Sequence, residues 1–205
     1  MRREPVSAVI LAGGLSTRMG RDKASEMLLG RSLLQRVIDR VAGLATDLIL
    51  VSAAGQALPD VSAPVPVRIV EDEYARIGPL GGICSGLSGL TSRYAVTVAC
   101  DMPLLQPPLL AELLLQAPNH DAVVPLNGPP EPLCAVYSVD CLSVIRDRIE
   151  AGEYKLTGFL DAVDVLYIEP ETWRRFDPEG LSFLNVNSEQ DLRRAEEVLR
   201  RSGAA

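Results

Sequence analysis

The residues best suited to chemistry lie in one run that directly follows an apolar segment: Leu11-Ala12-Gly13-Gly14-Leu15-Ser16-Thr17-Arg18-Met19-Gly20-Arg21-Asp22-Lys23. Gly13 and Gly14 carry no Cβ, so backbone N–H groups there can approach phosphate oxygens and form an anion-binding concavity. Ser16, Arg18 and Lys23 crowd a hydroxyl and two fixed positive charges into the same loop. No Gly-Lys-Ser/Thr follows and the glycine spacing is not GxGxxG, so this is neither a Walker A loop nor a dinucleotide fingerprint. A second signal is Asp101, placed where the apolar run Tyr94 to Cys100 ends at Asp-Met-Pro. A carboxylate there can bind Mg²⁺ together with substrate phosphates. The loop and Asp101 together point to chemistry on a phosphate chain.

Two further segments bear on the same chemistry. Gly78-Pro79-Leu80-Gly81-Gly82-Ile83 can start a helix whose N–H groups face the same site as the glycine loop. A glycine turn serving close packing alone is the competing reading. Asp72, a few residues earlier, is a candidate contact for a sugar or base. In Phe183-Leu184-Asn185-Val186-Asn187-Ser188 the two asparagines are two apart, so on an extended segment both amides point to one side, towards a polar ring. Alternatively, Asn187 or Ser188 only caps the last helix. The single histidine, His120, lies outside every motif.

The elements that must position these groups are legible as apolar runs and periodicities. Val6 to Ala12, Asp47 to Ala53, Val65 to Val70, Tyr94 to Cys100, Asp121 to Leu126, Pro132 to Ser138 and Asp164 to Ile168 read as strands. Helical spacing of Leu33, Leu34, Val37, Ile38, Val41 and Leu44 predicts a helix over Arg31 to Leu44. Further helices are predicted over Pro107 to Gln116, Val139 to Ala151 and Glu189 to Arg201, the last with a capping-box-like Ser188 and Asp191. Strands alternating with helices predict an α/β sandwich around a mostly parallel sheet. In such a sheet, ligands bind beyond the carboxyl ends of the strands, which would bring the glycine loop and Asp101 to one crevice.

Composition sets the limits. A chain of 205 residues that is 47% hydrophobic suits a single compact domain, whose first half, about residues 1–105, carries the glycine loop and Asp101, and whose second, about 106–201, carries the two asparagines. A formal charge of −7 offers no broad basic surface for a nucleic acid. No apolar run reaches the length of a membrane span, and the four cysteines show no CxxC spacing. A soluble, cytoplasmic protein without disulfides or a zinc site is expected.

Taken in order, LAGGLSTRMGRDKA, GPLGGI, DMP, Pro132-Leu133-Cys134-Ala135-Val136-Tyr137 and FLNVNSEQDL resemble the molybdenum cofactor guanylyltransferases, the MobA-type family, over nearly the whole chain. The resemblance implies a three-layer α/β/α, Rossmann-like nucleotidyltransferase with a mixed, mostly parallel sheet. It implies transfer of GMP from GTP to Mo-molybdopterin with release of pyrophosphate, and onward delivery to molybdoenzymes or cofactor-delivery proteins. Leu11, Ala12, Gly13, Gly14, Ser16, Lys23, Asp72, Gly81 and Asp101 would then hold GTP. Arg18, Lys23 and Asp101 would be catalytic, with Mg²⁺ on Asp101, and Gly82, Asn185 and Asn187 would face the pterin. Relatives often carry an asparagine soon after the second strand, where this chain reads Val51-Ser52-Ala53-Ala54-Gly55, and an arginine-rich loop where it reads Gly152-Glu153-Tyr154-Lys155-Leu156. The competing readings are a molybdopterin cytidylyltransferase or another small-phosphate nucleotidyltransferase of the same fold, and a non-catalytic protein that binds GTP and pterin for cofactor delivery. Cytidylyl relatives tend to read Leu-Ala-Ala-Gly and lack the NxN pair, so Gly13 and Asn185-Val186-Asn187 favour guanine.

Overall fold

Successive residues of the first strand divide between two hydrophobic layers, and this alternation organises the molecule. In the computed structural model, which describes residues 4–13, 22–74 and 77–203, strand β1 spans Val6–Leu11. A hairpin of β2 (Met27–Leu28) and β3 (Arg31–Ser32) follows, then α1 (Leu33–Val41), β4 (Asp47–Ser52), β5 (Val67–Glu71), α2 (Pro79–Ser88) and β6 (Tyr94–Ala99). The second half contains α3 (Pro107–Gln116), β7 (Ala122–Pro125), β8 (Cys134–Ser138), α4 (Cys141–Glu150), α5 (Leu156–Leu160), β9 (Val165–Ile168), α6 (Pro170–Trp173) and α7 (Glu189–Arg201).

Ala8 and Ile10 join Leu34, Val37, Ile38 and Val41 of α1 and Leu109, Leu110 and Leu113 of α3 in one layer. Val9 and Leu11 join Leu80, Ile83 and Leu87 of α2 and Ile145 of α4 in the other. Helices therefore cover both faces, as continuous apolar strands require. Among the described residues, seven strands form the main sheet in the order β5-β4-β1-β6-β8-β7-β9. Only β8 runs antiparallel to its neighbours. The expected α/β/α sandwich with a mixed, mostly parallel sheet is the observed fold, and no described helix is long and apolar enough to cross a membrane.

Local chemistry explains where the boundaries move. The helix predicted from Arg31 begins at Leu33, because Ser32 is its N-cap and accepts the Gln35 N–H at 3.1 Å. Arg31 and Ser32 belong instead to the hairpin, whose turn places both Leu29 and Gly30 at positive φ. The buried Arg36 guanidinium holds that turn by donating to the carbonyls of Leu28 at 2.7 Å and Leu29 at 3.1 Å. Helix α2, rich in glycine, lies so close to the sheet that a Cβ on Gly86 would sit 2.4 Å from Cγ1 of Val9. The short helices α5 and α6 have no counterpart in the sequence reading.

The C-terminal segment is held in place by one buried carboxylate. Asp177, 1% exposed, accepts the N–H of Leu181 at 2.9 Å and of Ser182 at 2.7 Å. These bonds shape the turn at 181–183, whose Phe183 packs edge-on against Trp173. Hydrogen bonds to a charged group contribute about 1.5–3 kcal/mol each, so Asp177 is a substantial anchor for the asparagine segment that follows. Helix α7 then packs Ala195 and Leu199 against Leu28, Leu33, Leu104 and Val186.

All four cysteines are buried and unpaired. Burial pushes the thiols of Cys100 and Cys141 up to about 12, so both stay protonated at neutral pH and act as packing groups, not nucleophiles.

Candidate active site

The carboxyl ends of β1, β4 and β6 meet at one edge of the sheet. The chain leaves β1 through Ala12 and Gly13, whose N–H groups both donate to the Val51 carbonyl, at 2.8 and 2.9 Å. The Gly13 N–H is thus used by β4, and its missing side chain makes room for protein. A Cβ there would lie 2.7 Å from the Ala53 nitrogen. Gly14, Ser16 and Arg18 lie outside the described residues.

The chain returns at Asp22, which caps a single 3₁₀ turn at Lys23–Ser25. Its carboxylate accepts the Ala24 N–H at 3.2 Å and the Ser25 hydroxyl at 2.9 Å. That turn aims Lys23 at Asp101, which stands just beyond β6, and Nζ donates to Oδ2 at 2.8 Å. The two side chains are 23% and 16% exposed, so the pair is shielded from water yet reachable.

Asn187 is the third member. Its Oδ1 accepts from Lys23 Nζ at 2.5 Å. The Val186 N–H donates to the Asp101 carbonyl at 2.8 Å and draws this segment over the end of β6. Val186 is fully buried between exposed Asn185 and Asn187, as an extended segment with both asparagines on one side requires. Ser188 is the N-cap of α7, accepting the Asp191 N–H at 3.2 Å, and its hydroxyl holds the Asp191 carboxyl below the usual carboxylate range. Asn187 is thus released from capping by its side chain. The sequence placed it on the pterin side, but its carbonyl oxygen bears on Lys23.

An ammonium has three donors. Asp101 and Asn187 take two of them; among the described residues the third has no partner, and a phosphate oxygen is its natural acceptor. The site is therefore a cation held on a carboxylate and an amide just beyond β6.

The remaining predicted residues serve structure as far as the geometry goes. Asp72 follows β5 and its Oδ1 accepts the Tyr74 N–H at 2.9 Å and the Ser85 hydroxyl at 3.1 Å, tying β5 to α2. Gly81 and Gly82 are buried. A Cβ on Gly81 would meet Tyr74 Cβ at 2.7 Å, and one on Gly82 would meet Leu11 Cδ2 at 3.2 Å, so both glycines admit protein neighbours, in line with the packing alternative. Leu11 is buried, and its carbonyl accepts the Cys100 N–H at 3.0 Å, locking β1 to β6 at the level of the site. His120 pairs with Asp164 at 3.0 Å, away from these groups.

One residue escaped the sequence reading altogether. Gln56 lies just past the Ala53-Ala54-Gly55 stretch and touches both ends of the glycine loop. Nothing periodic marks it; only the turn signal at Gly55 hints that a side chain is being re-aimed there.

Known proteins resemble this chain in both sequence and fold. Residues 8–175 match the family described as MobA-like NTP transferase domain. A probable molybdenum cofactor guanylyltransferase of Chloroflexus aggregans is 35% identical over 195 residues, covering 92% of each chain. The molybdenum cofactor guanylyltransferase of Syntrophotalea carbinolica is 34% identical over 189 residues, covering 91% of this chain and 88% of its own. In three dimensions, molybdopterin-guanine dinucleotide biosynthesis protein A of Archaeoglobus fulgidus superposes with a TM-score of 0.79 at 27% identity, over 95% of this chain and 99% of that one. The chain belongs to the MobA-like NTP transferase family, among the molybdenum cofactor guanylyltransferases.

Proposed function

We propose that this chain, acting in the cytoplasm, transfers GMP from GTP to the terminal phosphate of Mo-molybdopterin, with Mg²⁺ as its metal ion. The observation that carries the reading is the arrangement of Lys23 between Asp101 and Asn187, at the crevice where the glycine loop begins and ends. The acceptor is a phosphate monoester and largely dianionic at neutral pH, because its second pKa is about 6. One of its oxygens attacks the α-phosphorus of GTP, a new P–O–P linkage forms, and the bond to the β-phosphate breaks with its electron pair leaving on pyrophosphate. No general base is needed, which fits a site without histidine.

Lys23 neutralises charge on the phosphates, and Asp101 and Asn187 keep its ammonium from swinging into solvent. Asp101 supplies the hard oxygen donor that a magnesium ion requires. Asp101 would hold the ion together with oxygens of the substrate phosphates. When bound, Mg²⁺ supplies further charge neutralisation on the reacting phosphates.

The test is to offer GTP, CTP, ATP or UTP separately with Mg²⁺ and Mo-molybdopterin and to follow pyrophosphate. GTP alone is expected to support turnover. Preference for CTP would replace guanine by cytosine and keep the reaction; binding of GTP without pyrophosphate release would leave a delivery protein.

A further inference from the structure

One side chain, Gln56, touches both Ala12 and Asp22, which lie on either side of the glycine run. The loop departs after Ala12 and comes back at Asp22, and Gln56 Nε2 donates to the Ala12 carbonyl at 3.1 Å and to Asp22 Oδ1 at 2.8 Å. Its Oε1 accepts the Ala53 N–H at 2.9 Å. These partners settle the orientation of the amide: only its oxygen can accept from a backbone N–H, and only its nitrogen can donate to a carbonyl and a carboxylate. Both N–H groups are used, so the amide is already committed to protein.

The fold presents Gln56 deliberately. The Gln56 N–H donates to the Ala53 carbonyl at 3.0 Å, closing a β-turn in which Gly55 has a φ of 71°, a conformation that glycine adopts without strain. Glu71 of β5 accepts the Gly55 N–H at 3.2 Å and steadies the turn. Ala53, which anchors the amide oxygen, is also the residue that Gly13 packs against. From Gln56 the contacts run through Asp22, which caps the turn carrying Lys23, to Lys23 itself and on to Asp101 and Asn187.

We propose that Gln56 is a positioning residue that closes the neck between Ala12 and Asp22 and thereby sets Lys23 for the phosphates of a nucleoside triphosphate; this rests on the nucleotidyl-transfer reading above. A nucleotide-binding loop needs its two ends at a fixed separation, and one amide spanning both provides this with two hydrogen bonds. Because Lys23 meets the triphosphate as soon as it binds, the effect is read in nucleotide affinity.

Two substitutions of similar reach separate positioning from packing. Gln56→Glu keeps size and shape and the acceptor for Ala53, but loses both donors and sets a carboxylate against Asp22 and the Ala12 carbonyl. Gln56→Leu loses every polar contact without adding charge. A packing role ranks Gln56→Leu as the worse change; closure of the neck ranks Gln56→Glu as the worse. Titration with a fluorescent GTP analogue is expected to give roughly tenfold weaker binding for Gln56→Leu and a larger loss for Gln56→Glu, with both variants folded at the assay temperature and melting roughly 4–8 °C below the parent for about 2 kcal/mol lost. Equal affinities, or weaker binding by Gln56→Leu than by Gln56→Glu, would overturn the proposal. Should Gln56→Glu fail to fold, Gln56→Asn, with the same amide one methylene too short to span both ends, decides: weakened binding supports closure of the neck, and unchanged binding refutes it. Binding is read without turnover, so an unaltered parent that binds the analogue yet transfers nothing would refute the transfer reading while these affinities still decide on Gln56.

Discussion

Asp101→Ala is expected to lower kcat for GMP transfer by about a thousandfold or more, the scale for losing both a transition-state charge contact and the proposed metal ligand. Asp101 holds Lys23 at 2.8 Å, and its backbone carbonyl anchors Val186. The substitution removes the first contact and spares the second, so the asparagine segment stays in place. Lys23 keeps Asn187, and stability falls by at most about 2 kcal/mol, or roughly 4–8 °C in Tm. Asp101→Asn is the sharper variant, since its amide oxygen can still accept from Lys23 while the charge is gone. It is expected to lose activity nearly as completely and to need more Mg²⁺ for what remains. Single-turnover pyrophosphate release over a Mg²⁺ series measures both effects. A folded Asp101→Ala protein with near-parental, Mg²⁺-dependent transfer would remove Asp101 from the chemistry.

Lys23→Ala is expected to reduce kcat/KM by about a hundredfold to a thousandfold, because a charge-assisted contact to the phosphates disappears from a shielded site. Two acceptors, Asp101 Oδ2 and Asn187 Oδ1, then lose their common donor. Both remain partly in water, so the fold tolerates the change. Lys23→Arg should recover little: a planar guanidinium cannot place three donors around one point between a carboxylate, an amide and a phosphate. Steady-state kinetics with GTP varied at saturating acceptor would show the loss. Recovery to within a fewfold of the parent by arginine would mean that only net charge matters here, not the location of one ammonium.

The frame of this site was legible in the sequence because it rests on local pattern. The apolar runs at Val6, Asp47 and Tyr94 form strands buried on both faces, and loops beyond their carboxyl ends must converge. That rule alone brings Lys23 and Asp101, 78 positions apart, to one place. What was not legible depends on partners distant in sequence. The reversed direction of β8 is a property of the whole sheet and leaves no mark in Cys134–Ser138. That the Gly13 N–H goes to the Val51 carbonyl cannot be read from a Gly-Gly pair. The hairpin at 27–32 was hidden because Arg31 and Ser32 border a strongly amphipathic helix, and only the cap at Ser32 separates them. Asn187 and Gln56 gain their meaning from Lys23 and Asp22, and no spacing rule links glutamine 56 to residue 12.

The central claim is that the nucleotide's α-phosphate is joined to an acceptor phosphate at this crevice. GTP labelled at the α-phosphorus, incubated with the protein, Mg²⁺ and Mo-molybdopterin, tests it directly. The account predicts label in a pterin dinucleotide, one pyrophosphate released per product, and no label transfer when the pterin is omitted. Label appearing only as GMP, or leaving GTP at the same rate without the pterin, would contradict it.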